Sequence, residues 1–221
     1  MAAALILITA VLVALGFVYA VLHTAGRDRA LQALVALGLW LAVLPAVSGE
    51  PVFYRAELLP PPFAGFFLVL LCLAFALSLS RFGDALATLP LRVLLGVQAF
   101  RLLAEWALLA AHAEGLAPIQ MTWHGNNKDM ITGIFALGFV LLPRLAQSRA
   151  AVWAFQVVGV VNLLVIIVTA ALSMPSPFRV YTQEPSQAWV LALPYLLLPG
   201  ILVLAALSLH IITFRALRRT S

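Results

Sequence analysis

The sequence predicts an all-α integral membrane protein with seven transmembrane helices, its N-terminus outside and its C-terminus inside. Three observations predict it. Hydrophobic residues make up 64% of the 221 and charged residues only 10%, against about 25% charged in soluble domains. The apolar residues gather into runs long enough to cross a bilayer. The basic residues alternate in density from one connection to the next. With a mean hydropathy of +1.10, the chain carries more apolar surface than a soluble fold can bury, so its solvent is lipid.

The spans fall at about 2–22, 31–48, 64–80, 91–111, 124–143, 151–172 and 188–214, close to the roughly 20 residues that a crossing helix needs. Together they make one transmembrane domain over 1–221, with no room for a separate soluble domain. The first run has no basic residue ahead of it and exceeds the usual 7–15 residues of a signal-peptide core, so it reads as a retained helix. Cys72 is the single cysteine, inside an apolar run, and reads as a small buried hydrophobe. The basic residues are almost all arginine, which with the abundance of Ala and Leu suggests a bacterial source.

Orientation follows from the basic residues. Arg27, Arg29, Arg81, Arg92, Arg144, Arg149, Arg215, Arg218 and Arg219 fall after the odd-numbered spans, and only Arg55, Lys128 and Arg179 after the even-numbered ones. The first side is therefore cytoplasmic. The outer connections are longer and hold prolines and acids: Glu50, Glu57 and Pro60 to Pro62; Glu114 and Pro118; Pro175, Pro177, Glu184 and Pro185. The pattern also admits a 3+1+3 parallel repeat, on the likeness of Ser48–Arg55 to Ser173–Arg179 and of Arg29-Ala30 to Arg149-Ala150. The net charge of +5 does not signal nucleic acid, because the basic residues form no patch with interleaved aromatics.

The fourth span carries the polar stripe Gln98, Arg101, Glu105 and His112. Their spacing places them within roughly 60° of one another on one helical face. Arg101 falls about 13 Å above Arg92, near the midplane, and Glu105 about 6 Å higher. Charges at that depth must face the protein interior, and Arg101 and Glu105 are spaced to pair directly. The purely apolar part of the fifth span, Met130 to Pro143, is too short to cross alone. His124 to Asp129 should therefore lie within the outer leaflet, with Asn127 or Asp129 capping the helix and Gly125 allowing a tight bend.

The string Arg101-x3-Glu105, then Gly115-x2-Pro118-x2-Met121-Thr122-x2-Gly125-x-Asn127-x-Asp129-x3-Gly133-Ile134, resembles the central signature of a family of small, uncharacterised bacterial membrane proteins. Pro61-Pro62-Phe63 at the start of span three is similar too. The resemblance implies a multi-span bacterial protein without a known activity. This sequence differs from the family pattern at His124, where an acid is usual, and at Asn126, where Arg is usual, which leaves Arg101, Glu105, Asn127 and Asp129 as the strongest site residues.

Other features carry less. His112, His124 and Glu105 could ligate zinc with Glu114 or Asp129, but match no compact metal motif. His23 and His210 read as interfacial residues at the cytoplasmic ends of spans one and seven. Span seven has no lysine for a retinal Schiff base, and no phosphate loop, G-x-S-x-G or CxxC occurs. Pro194, Pro199 and Gly200 suggest a break in span seven. Gln156 and Asn162 on span six diverge, so each should bond to a separate neighbour. Trp123, Trp189 and Tyr181 fit an aromatic belt.

Three functions fit these readings. The first is binding or transport of a small solute or cation in an outward-facing pocket between spans four and five, built from Arg101, Glu105, Asn127 and Asp129 with Gln98, His112 and His124. The second is an intramembrane hydrolase, metal-dependent or not, with Glu105 or Asp129 as base and Arg101 stabilising charge. The third is a structural or assembly protein without chemistry. No catalytic residue or cofactor is assigned. The expected partners are the lipid bilayer, a small solute or cation, and a second copy of the chain in a homo-oligomer. The expected location is the bacterial cytoplasmic membrane, with the site facing the periplasm.

Overall fold

A computed structural model describes residues 1–55 and 57–219. Among these residues the chain is helical throughout, with no strand. The helices are α1 (Ala2–Ala25), α2 (Arg27–Val47), α3 (Pro62–Leu79), α4 (Arg81–Leu86), α5 (Leu91–Gly96), α6 (Phe100–Ala113), α7 (Asp129–Leu141), α8 (Arg149–Ser173) and α9 (Leu204–Arg219). Six stretches are long and apolar enough to cross a membrane: α1, α2, α3, Leu91–Ala113, α8 and Leu198–Arg219. The fourth joins α5 and α6 through a 3-10 turn at Val97–Ala99.

The fifth expected span differs from its prediction. Its helix begins at Asp129, not His124, and runs for 13 residues, about 20 Å against a hydrocarbon core of about 30 Å. Residues 124–128 are turn and coil. Their backbone polar groups are met by protein instead: Asn126 N donates to Gln120 O and Gly125 N to Thr122 O. A Cβ on Gly125 would strike the Gln120 backbone, so this fold-back needs glycine.

Packing fixes the two ends of the bundle. Val21, Ala33, Leu86, Leu94, Ile212 and Ala216 form one cluster, beside the arginine-bearing connections. Ala2, Ala110, Ala111 and Ala117 form another at the opposite end, where α1 meets α6; small side chains there let two helices approach closely. α3 lies along α9, and α7 fills the space between α5, α6 and α8. Asp84 on α4 accepts from Arg215 (2.5 Å) and Arg219 (2.7 Å), which ties the end of α9 to α4.

The break expected in the seventh span is present. Gln187–Leu191 is a 3-10 turn and Leu198–Val203 is wound as π-helix. The Trp40 indole donates to the Gly200 carbonyl at 2.9 Å, meeting a carbonyl that lies in the break. Cys72, expected to be buried, is exposed on α3 beside Leu68, Val69 and Phe75. A thiol is apolar enough to face lipid among such neighbours.

Candidate functional site

α6 enters the bundle between α1 and α7, and its polar face turns inward. Gln98, Arg101, Glu105 and Asn127 are all at most 2% exposed. Arg101 Nη1 donates to Asp129 Oδ1 at 2.5 Å, and Nη2 lies 2.9 Å from His210 Nε2 on α9. A guanidinium only donates, so His210 Nε2 accepts and the ring proton resides on Nδ1. From there it reaches Gln156 Oε1 at 2.9 Å, while Gln156 Nε2 donates back to the His210 carbonyl at 3.1 Å. Four helices, α6 to α9, are thus joined by one chain of hydrogen bonds.

Glu105 belongs to a second group. Asn127 Nδ2 donates to Glu105 Oε1 at 2.5 Å and to the Met121 carbonyl at 3.1 Å. Asn127 Oδ1 accepts from Asp129 N at 3.0 Å, which caps the start of α7. The direct Arg101–Glu105 pair expected from their spacing does not form: the guanidinium is taken by residues on other helices, and Asn127 holds the carboxylate one turn away. Asn162 donates to Lys128 O and Thr132 Oγ1, both at 3.1 Å. Lys128 bonds to the Trp123 and Gly125 carbonyls at 2.5 and 2.9 Å and covers the Trp123 ring.

Four buried side-chain atoms along this face have no hydrogen-bond partner: both amide atoms of Gln98, Arg101 Nε and Glu105 Oε2. If Arg101, Glu105 and Asp129 are all ionised, the group sums to about −1, with His210 neutral by its hydrogen bonds. Buried polar atoms without partners are costly, so their alignment on one helix face marks a polar interior.

The expected opening toward the outer surface is not found at these residues, which are enclosed by protein. His112 is drawn away to the Ala117 carbonyl, 2.9 Å from Nδ1, at the end of its own helix. His124 is exposed. Among the described residues no three His, Cys, Asp or Glu side chains come together as metal ligands, so the structure does not assemble His112, His124 and Glu105. His210 corrects another expectation. It is 1% exposed, because α9 continues to Arg219 and raises His210 about 13 Å above that end. His23 is exposed near the end of α1.

Two residues outside the expected site shape it. Gln156 orients His210. Gly159 on α8 makes room for the imidazole, since a Cβ there would lie 2.5 Å from His210 Cε1 and 2.8 Å from Nε2.

Residues 60–218 match the model of a domain of unknown function, DUF8737. The chain belongs to this family. Every residue of the buried polar group lies within the matched region, while α1 and α2 precede it. No curated protein and no solved structure matches the chain.

Proposed function

We propose that this member of the family is a bacterial cytoplasmic-membrane protein, N-terminus out and C-terminus in, that binds or transports a small solute or cation, taking up a proton or small cation at Glu105. The single observation carrying this reading is Glu105 Oε2: buried, without a partner, and not neutralised by Arg101, which is engaged by Asp129 and His210. A carboxylate enclosed among apolar helices favours an added proton or cation, because an uncompensated charge in that medium is costly. The unpartnered atoms of Gln98 and Arg101 continue the polar face toward the arginine-bearing end.

The test is uptake into proteoliposomes, with a pH-sensitive dye inside and sodium or potassium gradients imposed in turn. The wild-type protein takes up protons or one of these cations, and Glu105→Gln does not while keeping its melting temperature. Uptake by Glu105→Gln at the wild-type rate removes the reading.

A further inference from the structure

A cavity of about 220 Å³ lies apart from the polar group, between the first turns of α3 and the last turns of α8. Phe63, Phe67, Ile166, Met174 and Leu196 are among the residues that form its wall, and Leu108 and Met121 lie on the side nearest the polar group. The back wall is the broken segment ahead of α9, at Leu198, Pro199 and Val203. The wall is almost wholly carbon. Among the described residues Gln187 is its one polar lining residue, and Gln187 Oε1 accepts from the Trp189 indole at 3.1 Å.

Ala64 on α3 and Ala171 on α8 line the cavity and are also exposed, so the space opens sideways between two helices that are apolar and long enough to cross the bilayer. Apolar cavities of this kind do not hold water, and the medium at this mouth is lipid hydrocarbon.

We propose that this cavity binds the hydrocarbon chain of one amphipathic membrane lipid, which enters between α3 and α8. The site does not depend on the reading of Glu105. Methionine and alanine give it an adaptable wall, suited to a flexible chain.

Photo-crosslinking in liposomes tests it, using a phosphatidylethanolamine with a diazirine in one acyl chain and excess unlabelled lipid as competitor. The expected result is saturable labelling of the peptides containing Met121 and Met174, beside unsaturable labelling of the lipid-facing side of α1 at Leu7 to Leu15. Ala64→Phe and Ala170→Phe fill the cavity from opposite walls. Each should cut the saturable labelling by about tenfold or more while labelling of α1 and the melting temperature stay unchanged. Labelling near Met174 that does not saturate, or that survives both filling variants, overturns the site.

Discussion

Arg101 Nη2 lies 2.9 Å from His210 Nε2, across 109 residues of sequence. The contact ties α6 to α9 inside the protein, where both residues are 1% exposed. It also sets the histidine's proton on Nδ1, toward Gln156. The guanidinium is thereby divided between an anion, Asp129, and a neutral acceptor, His210. That division leaves Glu105 outside the ion pair, which gives the site its chemical asymmetry.

Gly159→Ala should break this contact without touching a polar residue. The new Cβ would lie 3.0 Å from Thr132 Cγ2 as well as against the imidazole, so the ring has to move. Overpacking of this kind costs about 1–3 kcal/mol, read as a lower melting temperature in detergent. The cost should shrink in a His210→Ala background, where the ring is gone. Equal losses in both backgrounds would mean that the glycine serves something other than His210.

The all-helical, apolar architecture was legible because hydropathy is a dense signal spread over the whole chain. The site was legible only in part. Arg101 and Glu105 stand out in an apolar span, and Asn127 and Asp129 stand out because the apolar run Met130 to Pro143 is too short to cross alone. Their partners were not legible. The sequence offers Glu105 to Arg101 at helical spacing, whereas the structure brings Asp129 from 28 residues away, a choice made by how α7 sits on α6. His210 was misplaced because span seven was ended at residue 214, five residues before α9 ends at Arg219. Gln156 was visible as a polar residue needing a neighbour, but not which neighbour. The lipid-chain cavity left no local signal, since its walls are ordinary apolar residues from α3, α8 and the broken segment.

Arg101 and Asp129 should behave as a coupled pair. Arg101→Leu leaves Asp129 as a buried charge without its cation, and a loss of about 3–5 kcal/mol follows. Asp129→Asn removes the anion but keeps the cap geometry, and His210 still accepts from Arg101, so its loss should be smaller. The double variant Arg101→Leu with Asp129→Leu should recover part of the cost, because two apolar side chains need no compensation. Additive losses in thermal or denaturant unfolding would show that the two charges act separately.

The proposed orientation makes a labelling prediction. In a Cys72→Ala background, His124→Cys places a thiol at an exposed position beside the acidic, proline-rich connections, and Arg218→Cys places one at the exposed end of α9. A membrane-impermeant maleimide should modify the first in intact cells and the second only after lysis. The reverse pattern would invert the protein in the membrane and move the arginine-bearing end outside.

Gln98 separates a cost of folding from a contribution to function. Its amide is fully buried and neither polar atom has a partner in the protein. It sits in the 3-10 turn of the fourth span, one turn from Arg101. Replacing it with leucine keeps the volume nearly constant and removes two buried polar atoms that have no protein partner. Gln98→Leu should therefore stabilise the protein by about 1–3 kcal/mol, seen as a higher melting temperature. If the polar face carries protons or cations to Glu105, the same variant should slow uptake severalfold. A residue that weakens the fold and speeds transport is what a working polar face would retain. A melting temperature that falls instead would show that water or a bound solute already satisfies the amide, and that the amide carries no folding cost.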